Sequence, residues 1–228
     1  RFNPGDMKDY SSSDRSINAN SIFDINRLGI DDSFEEGKSL TVGLDYKKTK
    51  LNDINKFFEA RIATVFRDKK EEFIPLTSGI NDKDLNIFGS ISNNLSEFTK
   101  ISYDFIIDDD LNSLKYNSLK TSITYKNFNT SFNFIERNGI IGDTNTLENN
   151  TKIKFNNSNY FSFATRRNKK IDLTEYYDLV YEYKNDCLIA GIKYKKSYYE
   201  DRDLKPSENL LFSITLSPLT SFEQKIDQ

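Results

Sequence analysis

The side chains that ordinarily do chemistry are thinly spread in this chain of 228 residues. Histidine is absent, which removes the usual general base near neutral pH, the Ser–His and Cys–His nucleophile pairs and the common zinc sites. Cys187 is the single cysteine, so no disulfide closes within the chain. On spacing alone it is an incidental thiol in a turn, whereas in an exported protein an odd cysteine points to a partner outside the chain. Carboxylates cluster twice: Asp31, Asp32, Glu35 and Glu36 lie close to Arg27, and Asp108, Asp109 and Asp110 are consecutive. Paired carboxylates can serve acid–base chemistry or hold calcium. Beside Arg27 the first group reads better as a salt-bridge cluster locking a loop, and the second as a loop tip. No GxxxxGK[ST] stretch is present to cradle a nucleotide. No catalytic residue, metal site or cofactor is therefore expected, and the chain is not expected to be an enzyme.

The elements that would position these residues announce themselves by period. With 36% hydrophobic and 29% charged residues and a net charge of -3, the chain has no basic stripe for nucleic acid. No run approaches the ~18 apolar residues of a transmembrane helix. Strict apolar/polar alternation recurs instead, the mark of strands with one apolar face. It runs through Leu40–Tyr46, Phe58–Phe66, Leu85–Ile91, Ile101–Ile107, Leu119–Tyr125 and Phe128–Phe134. It continues through Ile153–Phe155, Phe161–Arg166, Tyr177–Tyr183, Leu188–Tyr194 and Leu210–Leu216. About eleven strands of roughly 8–11 residues follow, the length that crosses a bilayer when tilted. The opening Arg1-Phe2-Asn3-Pro4 shows neither an initiator Met nor a signal peptide, and reads as a fragment or a chain cut upstream.

Tight connections rich in Asn, Asp and Ser fall at Asn93–Glu97, Lys126–Phe128, Asn156–Asn159 and Lys184–Asp186, with a longer one at Thr49–Asn55 on the same side. Wider polar connections alternate with them at Arg67–Lys83, Asp108–Leu114, Asn138–Leu147, Asn168–Leu173 and Glu200–Glu208. An antiparallel meander with turns on one side and loops on the other is the layout of an outer-membrane β-barrel. The competing architecture is a soluble β-sandwich binding module, whose facing sheets also alternate. A general porin or receptor barrel competes within the membrane class. Tyr46, Phe66, Tyr125, Phe128 and Tyr183 near strand ends favour a membrane interface.

Two segments resemble the family of LPS-assembly outer-membrane proteins, LptD. The first is Arg1–Tyr46, above all Asn20–Gly37 followed by the strand Leu40–Tyr46; Phe23, Asn26, Arg27, Asp32, Glu35 and Gly37 match the family pattern, while Gly29 sits one place early and Ser33 replaces an arginine. The second is Tyr177–Lys196, followed by Tyr198–Pro206 and the strand Asn209–Leu219. The resemblance implies the C-terminal portion of a large all-β barrel of ~26 strands. Residues 1–39 would be an extracellular loop and partial strand, 40–219 the barrel strands, and 220–228 a tail. It further implies lipopolysaccharide as the partner molecule, the cell outer membrane as the location, a plug lipoprotein, and a periplasmic bridge protein reached through an N-terminal domain. Cys187 would form a disulfide to that domain. The closing strand, with Leu210, Phe212, Ile214 and Leu216, would pair weakly with the first barrel strand as a lateral gate. Pro218 at its end, which lacks an N–H, would help loosen that pairing.

Overall fold

The computed structural model describes residues 2–81, 83, 85–138, 143–198, 206–216 and 220–227, the last stretch as backbone alone. The chain is all-β. Its antiparallel strands form one meander sheet in which spatial order follows chain order. After a two-residue β1 (Phe2–Asn3) come β2 (Gly37–Lys50), β3 (Asp53–Arg67), β4 (Ile87–Asn93), β5 (Thr99–Ile107), β6 (Leu114–Tyr125) and β7 (Phe128–Arg137). Then follow β8 (Thr144–Lys154), β9 (Asn159–Asn168), β10 (Leu173–Lys184), β11 (Leu188–Ser197), β12 (Ser207–Leu216) and β13 (Thr220–Asp227). One 3₁₀ turn, Leu76–Ser78, interrupts the β3–β4 connection.

The expected strands correspond to β2–β12, with corrections at the two ends and at one turn. The stretch 220–228 is not a tail, because Thr220–Asp227 forms β13 and pairs with Asn209–Leu216. The strand expected to close the sheet is therefore internal, bonded to β11 on one side and β13 on the other. Ladder bonds belong to the backbone and do not require apolar alternation, which is why this weakly patterned segment can pair. Pro218 lies outside the described residues. The connection expected over Thr49–Asn55 shrinks to Leu51–Asn52, with a register shift at Thr49/Lys50 absorbing the irregularity. Residues 1–39 contain the start of β2 at Gly37, and the described stretch before it packs on a sheet face.

Contacts divide the chain into two compact units. The first comprises Arg1–Ser96, Lys100–Leu119 and Ile135–Thr144; the second comprises Glu97–Thr99, Lys120–Phe134 and Asn145–Gln228.

In the first unit, register places Leu44, Ile62, Gly89 and Phe105 in one row across β2–β5, and Tyr46, Ala60, Ile91 and Tyr103 in the next. This face is apolar and open: Leu40 is 62% exposed, Leu44 77% and Ile62 44%. The Phe105 ring lies across Gly89, filling the space a side chain would take. The opposite face is covered. Met7, Ile17, Ala19, Ile22, Leu28 and Ile30 of the N-terminal segment pack with Ala63, Val65, Phe88 and Ile106 of the strands, and with Ile74 and Ile80 of the β3–β4 connection. Burial of each large aliphatic side chain contributes about 1.5–3 kcal/mol. Backbone bonds add to it, from Tyr10 N to Phe73 O at 3.0 Å and from Leu76 N to Ser11 O at 3.3 Å.

In the second unit the two faces separate by chemistry. Ile153, Phe161, Tyr181, Ile192 and Phe212 form one row across β8–β12. On the other face, Asn150, Ala164, Asp178, Lys195 and Asn209 form a row, and Lys154, Tyr160, Glu182, Gly191 and Ser213 another. The apolar row is left uncovered: Tyr181, Ile192 and Phe212 are exposed, Ile192 at 44%, and Ile153 and Phe161 are half-buried.

Candidate functional site

The sequence motif around Arg27 becomes a buried polar knot in the first unit. The Arg27 guanidinium grips Glu35 with two nitrogens, Nε to Oε2 at 2.6 Å and Nη2 to Oε1. This is the forked geometry that makes arginine–carboxylate pairs strong. Two further bonds reach β2, Nη1 donating to Thr41 Oγ1 at 2.9 Å and Nη2 to Ser39 Oγ at 3.1 Å, and Nη1 also donates to Ile22 O at 3.4 Å. Arg67, at the end of β3, donates to the same Glu35 Oε1, to Ile80 O, and to Glu36 O at 3.1 Å. Both guanidinium side chains are fully buried and Glu35 is 8% exposed. One carboxylate thus ties the N-terminal segment to two strands and to the β3–β4 connection.

The other motif residues surround this knot. Asn26 closes its loop reciprocally, Nδ2 donating to Ile30 O at 2.7 Å while Ile30 N donates to Oδ1 at 3.0 Å. Phe23 lies over Gly43 of β2, its ring 2.8 Å from where a Cβ there would sit. Gly37 opens β2 at φ 85, with the Glu71 carboxyl occupying the space a Cβ would need. Positive φ costs a non-glycine residue about 1–2 kcal/mol, and displacing a buried Glu71 adds to it. Gly37→Ala is expected to lower stability by about 2 kcal/mol or more; urea titration of the folded chain checks this.

Asp32 stands apart as an exposed anchor. Lys8 Nζ donates to Asp32 Oδ2 at 2.6 Å and Tyr10 Oη donates to Oδ1, while Lys8 N donates to Ser33 Oγ at 3.1 Å. The lysine bond first, and the tyrosine bond next, hold the Asp32 carboxyl below its ordinary 3.8. A depressed acid contributes stability at pH above its unfolded value and loses it as pH falls through the folded value. Protection of the Lys8 amide from exchange, corrected for intrinsic rate, is therefore expected to drop as pH falls below about 4. Asp32→Asn should remove the pH dependence, and salt should flatten it because the pair is exposed.

The second carboxylate cluster is tied internally. Asp108 faces Lys115 Nζ at 2.7 Å, and Leu111 N donates to Asp108 O at 3.0 Å. No grouping of three metal-ligating side chains occurs among the described residues.

Cys187 is exposed in the β10–β11 turn. Asn185 Oδ1 accepts from Cys187 N at 3.0 Å and Leu188 N at 2.7 Å, and Asn185 N donates to Leu188 O at 2.9 Å. The side chain of Asn185 closes the turn and leaves the thiol outside it. Leu210, Phe212, Ile214 and Leu216 lie within β12, with Phe212, Ile214 and Leu216 exposed. Within the second unit Cys187 adjoins the Leu216 end of β12, since Leu188 pairs with Leu216, whereas the Arg27 knot belongs to the first unit.

Sequence reasoning missed a cavity of about 340 Å³ on the polar face of the second unit, beside the short β6–β7 and β8–β9 turns. Lys126, Lys152, Lys154, Tyr160, Ser162 and Glu182 line it with Phe128 and Val180. Alternation had placed Lys152 and Lys154 on a polar face, but only the strand register brings Lys154 opposite Tyr160. No family model matches the chain, and no curated protein matches it.

Proposed function

We propose that this chain is a membrane-spanning β-barrel segment of the LPS-assembly (LptD) kind, guiding lipopolysaccharide to the outer leaflet of the cell outer membrane. The observation that carries the membrane reading is the reversal of faces. In both units the row of Leu, Ile, Phe and Tyr is left uncovered rather than buried, while the opposite face is covered by the chain itself in the first unit and polar in the second. A soluble sandwich buries its alternating apolar face; an outer-membrane barrel turns that face to lipid and keeps the polar one for its lumen. Apolar surface this extensive otherwise marks an association site.

The assignment to lipopolysaccharide rests on the motif Phe23, Asn26, Arg27, Asp32, Glu35 and Gly37 and on the hairpin carrying Cys187. In this reading the chain guides passively: the polar face carries the saccharide while acyl chains stay in the bilayer, with no chemical step of its own. Cys187 pairs with a cysteine of a periplasmic domain outside this sequence, and a plug lipoprotein and a periplasmic bridge protein are the partners. The reading of Leu210–Leu216 as the gate strand is not retained, since β12 is paired on both sides.

Photo-crosslinking residues placed on the two faces in cells test this. At Leu44 or Ile192 they are expected to capture phospholipid, and at Asn209 or Ser213 lipopolysaccharide. Phospholipid at the first pair without lipopolysaccharide at the second would favour a general porin or receptor barrel. Capture of protein at the first pair would overturn the membrane reading.

A further inference from the structure

Several cationic side chains of the second unit sit in ion pairs. Arg166 meets Glu175 at 2.8 Å and Glu148 at 3.5 Å, and Arg167 meets Asp172 at 2.5 Å. Lys193 meets Asp178 at 3.3 Å, as Lys196 meets Glu208. The cavity beside the short turns gathers three that do not. Lys126, Lys152 and Lys154 all line it, and among the described residues none has a carboxylate within ion-pair distance. The lone carboxylate in the lining, Glu182, leaves an excess of positive charge. Lys154 Nζ stands 5.8 Å from the centroid of the Tyr160 ring and Lys126 Nζ 5.3 Å from that of Tyr125, contacts that steady an ammonium without cancelling its charge.

Three like charges lining one cavity, with no carboxylate at ion-pair distance, favour an anion that joins them. The lining says which anion. Arginine, whose planar fork suits a carboxylate, is missing from it, whereas lysine acts as a point charge toward the several oxygens of a phosphate. Phe128, Val180 and the Tyr160 ring supply an apolar flank on one side of the charged group, which a bare inorganic ion would leave unused. At about 340 Å³ the cavity falls in the range of small-molecule sites.

We infer that this cavity binds a phosphate ester, the phosphate held by Lys126, Lys152 and Lys154 and its organic body laid against Phe128, Val180 and Tyr160. A sugar phosphate and a phospholipid headgroup share this chemistry. The site stands on the cavity's own charges and does not depend on the proposed lipopolysaccharide function.

The test is ³¹P line broadening with the whole chain folded in neutral detergent. Glucose 6-phosphate is titrated against saturation-transfer NMR of glucose, and phosphatidylglycerol in mixed micelles against phosphatidylcholine. Glucose 6-phosphate is expected to bind where glucose does not, and to weaken steeply with added salt. Lys152→Gln and Lys154→Gln should each weaken it about tenfold, the loss of one charge-assisted hydrogen bond. Glu182→Gln should tighten it several-fold, an opposite sign that misfolding cannot imitate. Binding of phosphatidylglycerol alone, with the same responses to substitution, would identify a headgroup site; binding of both would identify a general phosphate-ester site. Equal binding of glucose and its phosphate, or indifference to Lys152→Gln and Glu182→Gln together, would overturn the inference. Phosphate binding here without lipopolysaccharide crosslinks at Ser213 would keep this site while removing the proposed translocon.

Discussion

Glu35→Ala is expected to destabilise the chain by about 3–5 kcal/mol, the cost of removing one partner from a buried ion pair. Its carboxylate is the shared acceptor for two guanidinium groups whose side chains are fully buried. Without it, Arg27 and Arg67 face each other in a site that water does not reach, and each keeps only neutral oxygens as acceptors. The loss should appear first as release of the N-terminal segment, because Arg27 is what binds that segment to Ser39 and Thr41 of β2. Protease cleavage within residues 15–30 should rise before the strands unfold in urea. Arg67→Met should cost less, since Glu35 keeps its two bonds to Arg27. The Glu35→Ala and Arg67→Met effects should fail to add, because the two share one carboxylate. A urea midpoint for Glu35→Ala within the range of ordinary surface substitutions, about 0.5 kcal/mol, would show that the knot contributes nothing to stability.

That knot also marks where the sequence stops being readable. Arg27 and Glu35 are eight positions apart and visible as a charged loop cluster. Arg67, which completes the site, sits at the end of a strand 32 positions away from Glu35 and carries no local sign of its role. The apolar residues that hold the segment down, Ile17, Ile22, Ile74 and Ile80, are scattered singly among polar neighbours, so no period exposes them. The strands were legible for the opposite reason: a half-buried or lipid-facing strand writes its environment into every second residue. β13 shows the limit of that rule. Between Thr220 and Asp227 only Phe222 and Ile226 are apolar, and Pro218 precedes them, so the stretch looks like a tail although its backbone pairs along β12. The lysine cavity was illegible in a third way, since Lys126 and Lys154 share it only because the β6–β7 turn lies beside the end of β8, where Lys154 N donates to Asn127 O at 2.8 Å.

Leu44→Arg separates a membrane sheet from a soluble one by sign and size. Leu44 is 77% exposed and lies mid-strand on the apolar face. For a soluble protein, replacing so exposed a residue with arginine falls within about 0.5 kcal/mol of neutral. For a strand whose apolar face meets hydrocarbon, the same change costs about 2–4 kcal/mol at the bilayer midplane and about 0–1 near the interfaces. The penalty should therefore depend on depth along β2, greatest near Leu44 and smaller at Leu40 and Tyr46 toward the strand ends. Ile192→Arg, in register with Tyr181 and Phe212 in the second unit, should behave as Leu44→Arg does. Ser213→Arg, on the opposite face beside Gly191, should cost little, because that face already carries lysines and carboxylates. Folding into lipid vesicles, followed by gel mobility across a urea series, measures all of these on one scale. Equal costs for Leu44→Arg and Ser213→Arg would mean that the apolar face does not meet lipid. A profile along β2 without a central maximum would mean the same.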